Sequence, residues 1–249
     1  LPHSYRSLRM ISPFLRLTPS EELCIYYHMG PYGGEDYDAR LEQEGWNEAG
    51  FNAEGWKPVV VQEAPRGALA PQQAPAVKIM KRYGVKEVHK LTPEEVEKAT
   101  VKTKRTVDES AIFLDMGQNM AGFPEIRVSG KAGQKITLVV AEARTEDYAT
   151  EQRQTGRQHY YTYTLRGDKE EVWHPRFSYY GFRYILVEGG VLKGMKNPDK
   201  LPVIKEINAC FVHNSAVDVA SFESNNEVLN GAHRLIRHAV RSNMQSVWT

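Results

Sequence analysis

From residue 111 to residue 222 the chain runs as short β-prone segments with turn residues between them, and that spacing leaves few folds open. Segments 111–116 and 123–128 flank the glycine-bearing stretch 117–122. Segment 134–142 follows the turn Gly130-Lys131-Ala132-Gly133. Segment 159–165 (HYYTYTL) stops at Arg166-Gly167-Asp168, and 182–188 (FRYILVE), 203–213 and 217–222 complete the series. β-Branched and aromatic residues alternate with polar ones in these segments, the period of a strand with two unlike faces. Strands at this density, without intervening helical patterns, predict an antiparallel β-sandwich rather than a parallel α/β sheet.

The flanking regions differ in character. Residues 1–80 are rich in aromatic and turn residues, with strands expected at 23–29, 37–43 and 56–62. Between them WNEAGFNAEGW is expected to form turns that bring Trp46, Phe51 and Trp56 into a core. Pro65, Gly67, Pro71 and Pro75 make a proline-punctuated connector. Strands are expected at 77–81 and 85–90, then a helix opening at Thr92-Pro93-Glu94-Glu95, with Pro at the first helical position. The alternation in VKTKRTV, 101–107, favours a strand. At the other end, SFESNN, 221–226, reads as a helix start. Behind it Val228, Leu229, Ala232, Leu235, Ile236, Ala239, Val240, Asn243 and Val247 share one helical face. An amphipathic stripe of that length needs something to cover it, so the chain is expected to be the front part of a larger protein. Self-association through the 228–247 face is expected of the chain on its own.

Composition excludes several classes. Apolar content of 41% and charged content of 25% are those of an ordinary globular protein. A formal charge of +1 gives no field that would gather nucleic acid or an anionic membrane. No apolar run approaches the ~20 residues needed to span a bilayer. Neither a signal peptide nor an initiating Met stands at Leu1, which fits a processed or trimmed start; a bacterial cytoplasm or periplasm suits the chain equally. Cys24 and Cys210 lie too far apart in sequence for a metal motif and read as two separate buried thiols.

The residues that could carry chemistry read as structural. GQNMAG, 117–122, lacks the Lys-Ser/Thr pair of a phosphate loop and is expected to be a hairpin corner whose Gln118 and Asn119 amides bond the turn backbone. Asp115, Glu125, Glu142, Glu146 and Asp147 could supply a carboxylate pair, but nothing marks a pocket that would raise one pKa, so they read as surface groups. His159, His174 and His213 lack metal-ligand spacing, and His233 and His238 are five apart on the polar flank of the last helix, so no metal site and no cofactor is expected. No G-x-S-x-G is present. In the aromatic run from Tyr160 to Tyr184 alternation sends about half the rings inward; Tyr160, Tyr179 and Tyr180 are the candidates for stacking on a sugar.

These features together resemble bacterial α-L-rhamnosidases of glycoside hydrolase family seventy-eight. YGGEDYDAR, 32–40, with Trp46, Phe51 and Trp56-Lys57-Pro58, resembles the end of that family's N-terminal β-sandwich. PRGAL, 65–69, and APAVK, 74–78, resemble the following link. LDMGQNMAG, 114–122, VVAEA, 139–143, HYYTYTL and PRFSYYGFRY, 175–184, resemble its concanavalin-like sandwich. FESNN, Leu229-Asn230 and RSNMQSVWT, 241–249, resemble the first helix of the catalytic α/α barrel. The chain departs from the family in a longer, charged stretch at 86–110, and the upstream half of the first sandwich is missing or diverged.

The resemblance implies three units: 1–75, the C-terminal part of a jelly-roll or galactose-binding-like sandwich; 76–222, the concanavalin-like sandwich; and 223–249, the first barrel helix. It implies removal of terminal α-L-rhamnose by inverting hydrolysis in the whole enzyme, acting on rhamnose-containing glycosides or polysaccharides through a barrel that lies beyond Thr249. No catalytic residue is expected within the chain, which would be inactive alone. A stand-alone carbohydrate-binding module is the alternative.

Overall fold

A computed structural model of the chain describes residues 15–19 (strand only), 33–57, 60–61, 67–68, 70–152 and 159–245. The strand expected at 23–29, Cys24, and the tail of the apolar stripe at Val247 lie outside the described residues.

The fold is mainly β. One curled sheet runs in the order β1 (Leu15–Pro19), β2 (Gly33–Asp38), β9 (Tyr160–Thr164), β6 (Lys135–Ala141), β11 (Tyr180–Glu188), β5 (Ile112–Ser129), β13 (Val203–Asn214), β12 (Val191–Leu192). Two further strands also pair with β5, namely β4 (Glu87–Lys90) and β10 (Glu171–Trp173), while β3 (Val77–Gly84) pairs with β13. Pairing is antiparallel except at β2/β9 and β12/β13. A separate two-strand ribbon joins β7 (Ala143–Arg144) to β8 (Thr150–Glu151).

Alternation explains why the middle of this sheet is buried on both faces. Leu114, Leu138, Val140, Ile185 and Val187 point to one side, where the curled sheet encloses them with Tyr161, Tyr163, Trp173 and Phe182. Phe113, Val139 and Leu186, one residue out of phase, point to the other, where they meet Val96 and Ala99 of helix α1 (Pro93–Thr103). Burying a side chain such as Val96 contributes roughly 2 kcal/mol, enough to hold a short helix on a sheet.

Several expectations change. Residues 101–103 belong to α1 and not to a strand. A capping box starts this helix: Thr92 Oγ1 accepts the Glu95 N–H at 3.3 Å while Glu95 Oε2 accepts the Thr92 N–H at 2.7 Å. It runs on to Lys104, whose φ of 54° ends it in the left-handed region. Residues 111–116 and 123–128 are not two strands about a corner but one continuous β5. Residues 217–222 form no strand; Val217 and Val219 are exposed. The strand placed at 37–43 lies earlier, at Gly33–Asp38, and a 3-10 turn at Ala39–Leu41 ends it, with Asp38 accepting the Arg40 N–H. The described residues of 56–62 are not in a strand. Of the three rings expected in a core there, Trp46 packs against it, whereas Trp56 is half exposed and edges onto Phe51 at 5.5 Å.

Candidate functional site

The glycine-bearing stretch forms a kink inside β5. Opposite it, Phe182 pairs with Met120 and Tyr184 with Asp115, so Arg183 alone spans residues 116–119. Asp115 holds the kink from below. Its buried carboxylate accepts the Gly117 N–H at 2.6 Å and takes the Arg183 guanidinium in two bonds of 2.8 and 2.7 Å. The Arg183 hydrogen bonds, more than any other contact, keep this carboxyl below its usual range. Gly117 sits at φ 78°, which favours a residue without Cβ.

Asn119 then ties three elements together. Its Nδ2 donates to Glu142 Oε1 at 2.9 Å, beyond the end of β6. Its carbonyl meets His238 Nε2 at 2.7 Å, so that nitrogen carries the ring proton. His238 belongs to helix α2 (Glu227–Ser242), and its ring also lies 5.0 Å from that of Phe211 on β13. The helix start is Asn226, whose side chain caps Val228 and Leu229. Past the other end, Asn214 N–H donates to the Met244 carbonyl at 2.7 Å and Gln245 Nε2 to the Val212 carbonyl at 3.2 Å. Arg237 and Arg241 both donate to Asp218.

These bonds turn the helix the unexpected way round. Its polar flank faces the sheet, and the stripe faces solvent: Val228 is 78%, Leu229 51%, Leu235 73% and Ile236 62% exposed. The histidines expected to be exposed are instead partly covered, His238 as above and His233 against Phe222 at 5.0 Å.

The structure does not bring the three candidate tyrosines to one surface. Tyr180 packs on the enclosed core and stacks on His159 at 4.1 Å and 5°. Tyr160 packs on the opposite, α1-covered face. Tyr179 is exposed, as is Phe177 two residues before it.

Nor do the carboxylates form a working pair. Glu125 faces Arg82 at 2.9 Å, Asp147 pairs with Lys98 and Lys102, and Glu142 accepts from Asn119. Three buried carboxylates that were not among the candidate residues fix loops instead. Glu35 accepts the N–H groups of Arg176 and Phe177 at 2.8 and 3.2 Å, and burial raises its pKa against those bonds. Glu171 accepts the Tyr163 hydroxyl and the Arg166 and Gly167 N–H groups. Glu188 takes Arg105 Nη1 at 2.8 Å and the Asp108 N–H. The signal for Glu171 was an acidic residue just after the turn at 166–168; for the other two the partners lie 80 or more residues away.

Among the described residues no group of three or more His, Cys, Asp and Glu could hold a metal ion. The Cys210 thiol is buried and pushed up to about 11, chiefly by desolvation, so it is no nucleophile. Among the described residues no helix is long and apolar enough to cross a membrane.

A curled sheet in which Asp115, Glu125, Glu142 and Asp147 are held by ion pairs and hydrogen bonds defines a mainly β domain. Comparison with known proteins places it. The family model described as bacterial alpha-L-rhamnosidase concanavalin-like domain matches residues 105–213, and that described as alpha-L-rhamnosidase N-terminal domain matches 22–81. An alpha-L-rhamnosidase of Streptomyces avermitilis is 34% identical over 221 residues, 87% of this chain and 19% of the relative. One from Formosa agariphila is 28% identical over 223 residues, 87% of this chain and 21% of the relative. Among solved structures, the Streptomyces avermitilis enzyme complexed with L-rhamnose superposes with a TM-score of 0.68 at 31% identity, over 86% of this chain and 19% of that one. Native rhamnosidase from Aspergillus terreus gives 0.66 at 29% identity, over 86% and 22%. The chain belongs to the α-L-rhamnosidase family, and it spans about a fifth of the length of the relatives it matches.

Proposed function

We propose that this chain is the accessory β-region of an enzyme that removes terminal α-L-rhamnose from glycosides or polysaccharides by inverting hydrolysis. The observation that carries this is the matched span: nearly the whole chain aligns with α-L-rhamnosidases, yet with only a fifth of their length. Inversion needs an acid and a base carboxyl on opposite sides of the sugar, and those groups belong to the length this chain does not span. The role of this portion is structural, with residues 1–75 as the C-terminal part of an N-terminal β-sandwich, 76–222 as the concanavalin-like sandwich whose sheet β2 joins, and 223–249 as the first helix of the catalytic α/α barrel. Purified chain should not turn over p-nitrophenyl α-L-rhamnoside, whereas a longer polypeptide that includes the catalytic domain should release β-rhamnose first. Turnover by the chain alone would overturn the structural assignment; release of the α-anomer would overturn inversion.

A second reading, a carbohydrate-binding module without catalysis, is supported by Tyr179 and Phe177, which are 44% and 53% exposed. It requires heat of rhamnose binding in calorimetry, lost in Tyr179→Ala.

A further inference from the structure

Asn230-Gly231, in the first turns of α2, is the one place in the chain where an asparagine precedes a glycine. Such a pair carries chemistry of its own, which makes asparagine a labile residue. The glycine backbone nitrogen can attack the side-chain carbonyl carbon of the asparagine, and with no Cβ on the attacking residue nothing hinders the approach. The N–Cγ bond forms, the Cγ–Nδ2 bond breaks, and the proton of the attacking nitrogen leaves with the amide as ammonia. Water then opens the resulting cyclic imide at either carbonyl, which gives aspartate or isoaspartate.

Folded α2 keeps the two reacting groups apart. Helix geometry directs the Gly231 N–H at the Glu227 carbonyl, and a helical ψ of about −42° at Asn230 holds the glycine nitrogen away from Cγ. The Asn230 amide is turned back and clamped to Ser224. Its Oδ1 accepts the Ser224 N–H at 2.9 Å and the Ser224 hydroxyl at 3.1 Å, and its Nδ2 donates to the Ser224 carbonyl at 2.8 Å. Yet the hold on α2 itself is slight. None of its residues is buried, and polar contacts such as that of His238 tie it to the sheet. Little stands over Gly231: within 4 Å of where a Cβ would be lies only the far end of Arg234. An element held in this way opens locally far more often than the whole fold does.

We propose that Asn230-Gly231 is a self-modifying site gated by α2: silent while the helix is closed, and converted through the imide, with loss of ammonia, when it opens. Neither product restores the starting helix. Aspartate keeps acceptors for the Ser224 N–H and hydroxyl, but sets a carboxylate oxygen against the Ser224 carbonyl where the amide had a donor. Isoaspartate adds a methylene to the main chain, so the hydrogen-bond ladder cannot pass residue 230 in register. The Asn226 cap on Val228 and Leu229 is then cut off from the rest of the helix. Conversion is therefore a one-way change that weakens α2 where it begins. The site depends on α2 and its opening alone, and stands whatever reaction a longer enzyme carries out.

The test incubates the purified chain in mildly alkaline buffer beside a synthetic peptide of residues 221–234. Conversion at Asn230 is followed by peptide mapping with mass spectrometry, and exchange of the Gly231 amide is measured in parallel. The peptide is too short to hold a helix in water and should convert fastest. The chain should give the same aspartate and isoaspartate more slowly, by the protection factor of the Gly231 amide to within about threefold. His238→Ala should speed conversion and exchange together about tenfold, and Asn226→Ala, which removes the cap, should speed both as well. Gly231→Ala should convert at least about tenfold more slowly than wild type, because its Cβ hinders the attack. Conversion of the chain at the peptide's rate would overturn the gating. Failure of Asn230 to convert in wild type, His238→Ala and Asn226→Ala while their Gly231 amides exchange would overturn the site. So would conversion that does not follow exchange from one of these chains to the next.

Discussion

Asp115 shows how one buried carboxylate can serve geometry. It ends the regular pairing of β5, accepts the Gly117 N–H, and takes both arms of Arg183. Asp115→Asn keeps the size and removes the charge that the guanidinium requires. Because the Arg183 side chain is 37% exposed and keeps some water, the expected loss is about 1–2 kcal/mol in urea unfolding. The pH dependence has a definite sign. The folded carboxyl titrates below its ordinary value of about 3.9, so its contribution is complete above that pH and is lost as pH falls through the folded value. Between about pH 4 and 2 the wild-type chain should therefore lose more stability than Asp115→Asn, by at most ~1.4 kcal/mol per pH unit. Parallel curves would remove this role from Asp115. Gly122 carries a second constraint. A Cβ there would stand 1.9 Å from the Cys210 carbonyl oxygen on β13, a backbone atom that cannot swing aside. Gly122→Ala should cost more than about 3 kcal/mol, seen as a lower urea midpoint, and a midpoint equal to wild type would contradict the close approach. Neither role was legible in the sequence. Read locally, GQNMAG is a turn; only the partners on β11 and β13 keep the strand going through it.

At the scale of elements, the strands of the concanavalin-like sheet could be read in advance from β-branched and aromatic residues set between turn residues, although the structure then buries both faces of the central ones. Val139 and Val140, or Leu186 and Val187, leave no polar face for another period to use. Residues 101–107 misled for the opposite reason. Val101 is 72% exposed, so its apolar alternation answered to no core, and the capping box at Thr92 decided the conformation. The last helix was legible as a helix but not in its facing. Its position rests on polar contacts, the bond of His238 to the Asn119 carbonyl above all. His238→Ala should therefore release α2 from the sheet. In hydrogen exchange, amides of 227–242 should lose about tenfold in protection while those of β5 and β13 stay at wild-type rates. Gly231→Ala supplies the converse. Nothing but the far end of Arg234 lies within 4 Å of the new methyl, and Ala in place of Gly inside a helix is worth about 1 kcal/mol, so protection of α2 should rise. Equal loss of protection across α2 and β5 in His238→Ala would mean that the contact supports the whole fold and not the helix alone.

For the whole molecule, the exposed stripe and the family's greater length fit one arrangement. Val228, Leu229, Leu235 and Ile236 project away from a sheet that already has its own core, so they add nothing to the stability of the described fold. Their cost is borne in water, and any second apolar surface would relieve it. In the longer enzyme proposed above, that surface is the catalytic domain. In the chain alone it can be another copy, because two such helices laid together shield each other's stripes. Four side chains make a small interface, so the association should be weak and dependent on concentration, detected by sedimentation as a shift from monomer toward dimer at high micromolar loading. The double substitution Leu235→Glu with Ile236→Glu places two charges in the centre of the stripe. It should leave the urea midpoint within about 0.5 kcal/mol of wild type, since neither residue is buried, and keep the chain monomeric across the same range. If the doubly substituted chain associated as strongly as wild type, the contact would lie elsewhere. If it lost substantial stability, the stripe would be packed in solution against the chain itself, and α2 would have to sit on the sheet the other way round.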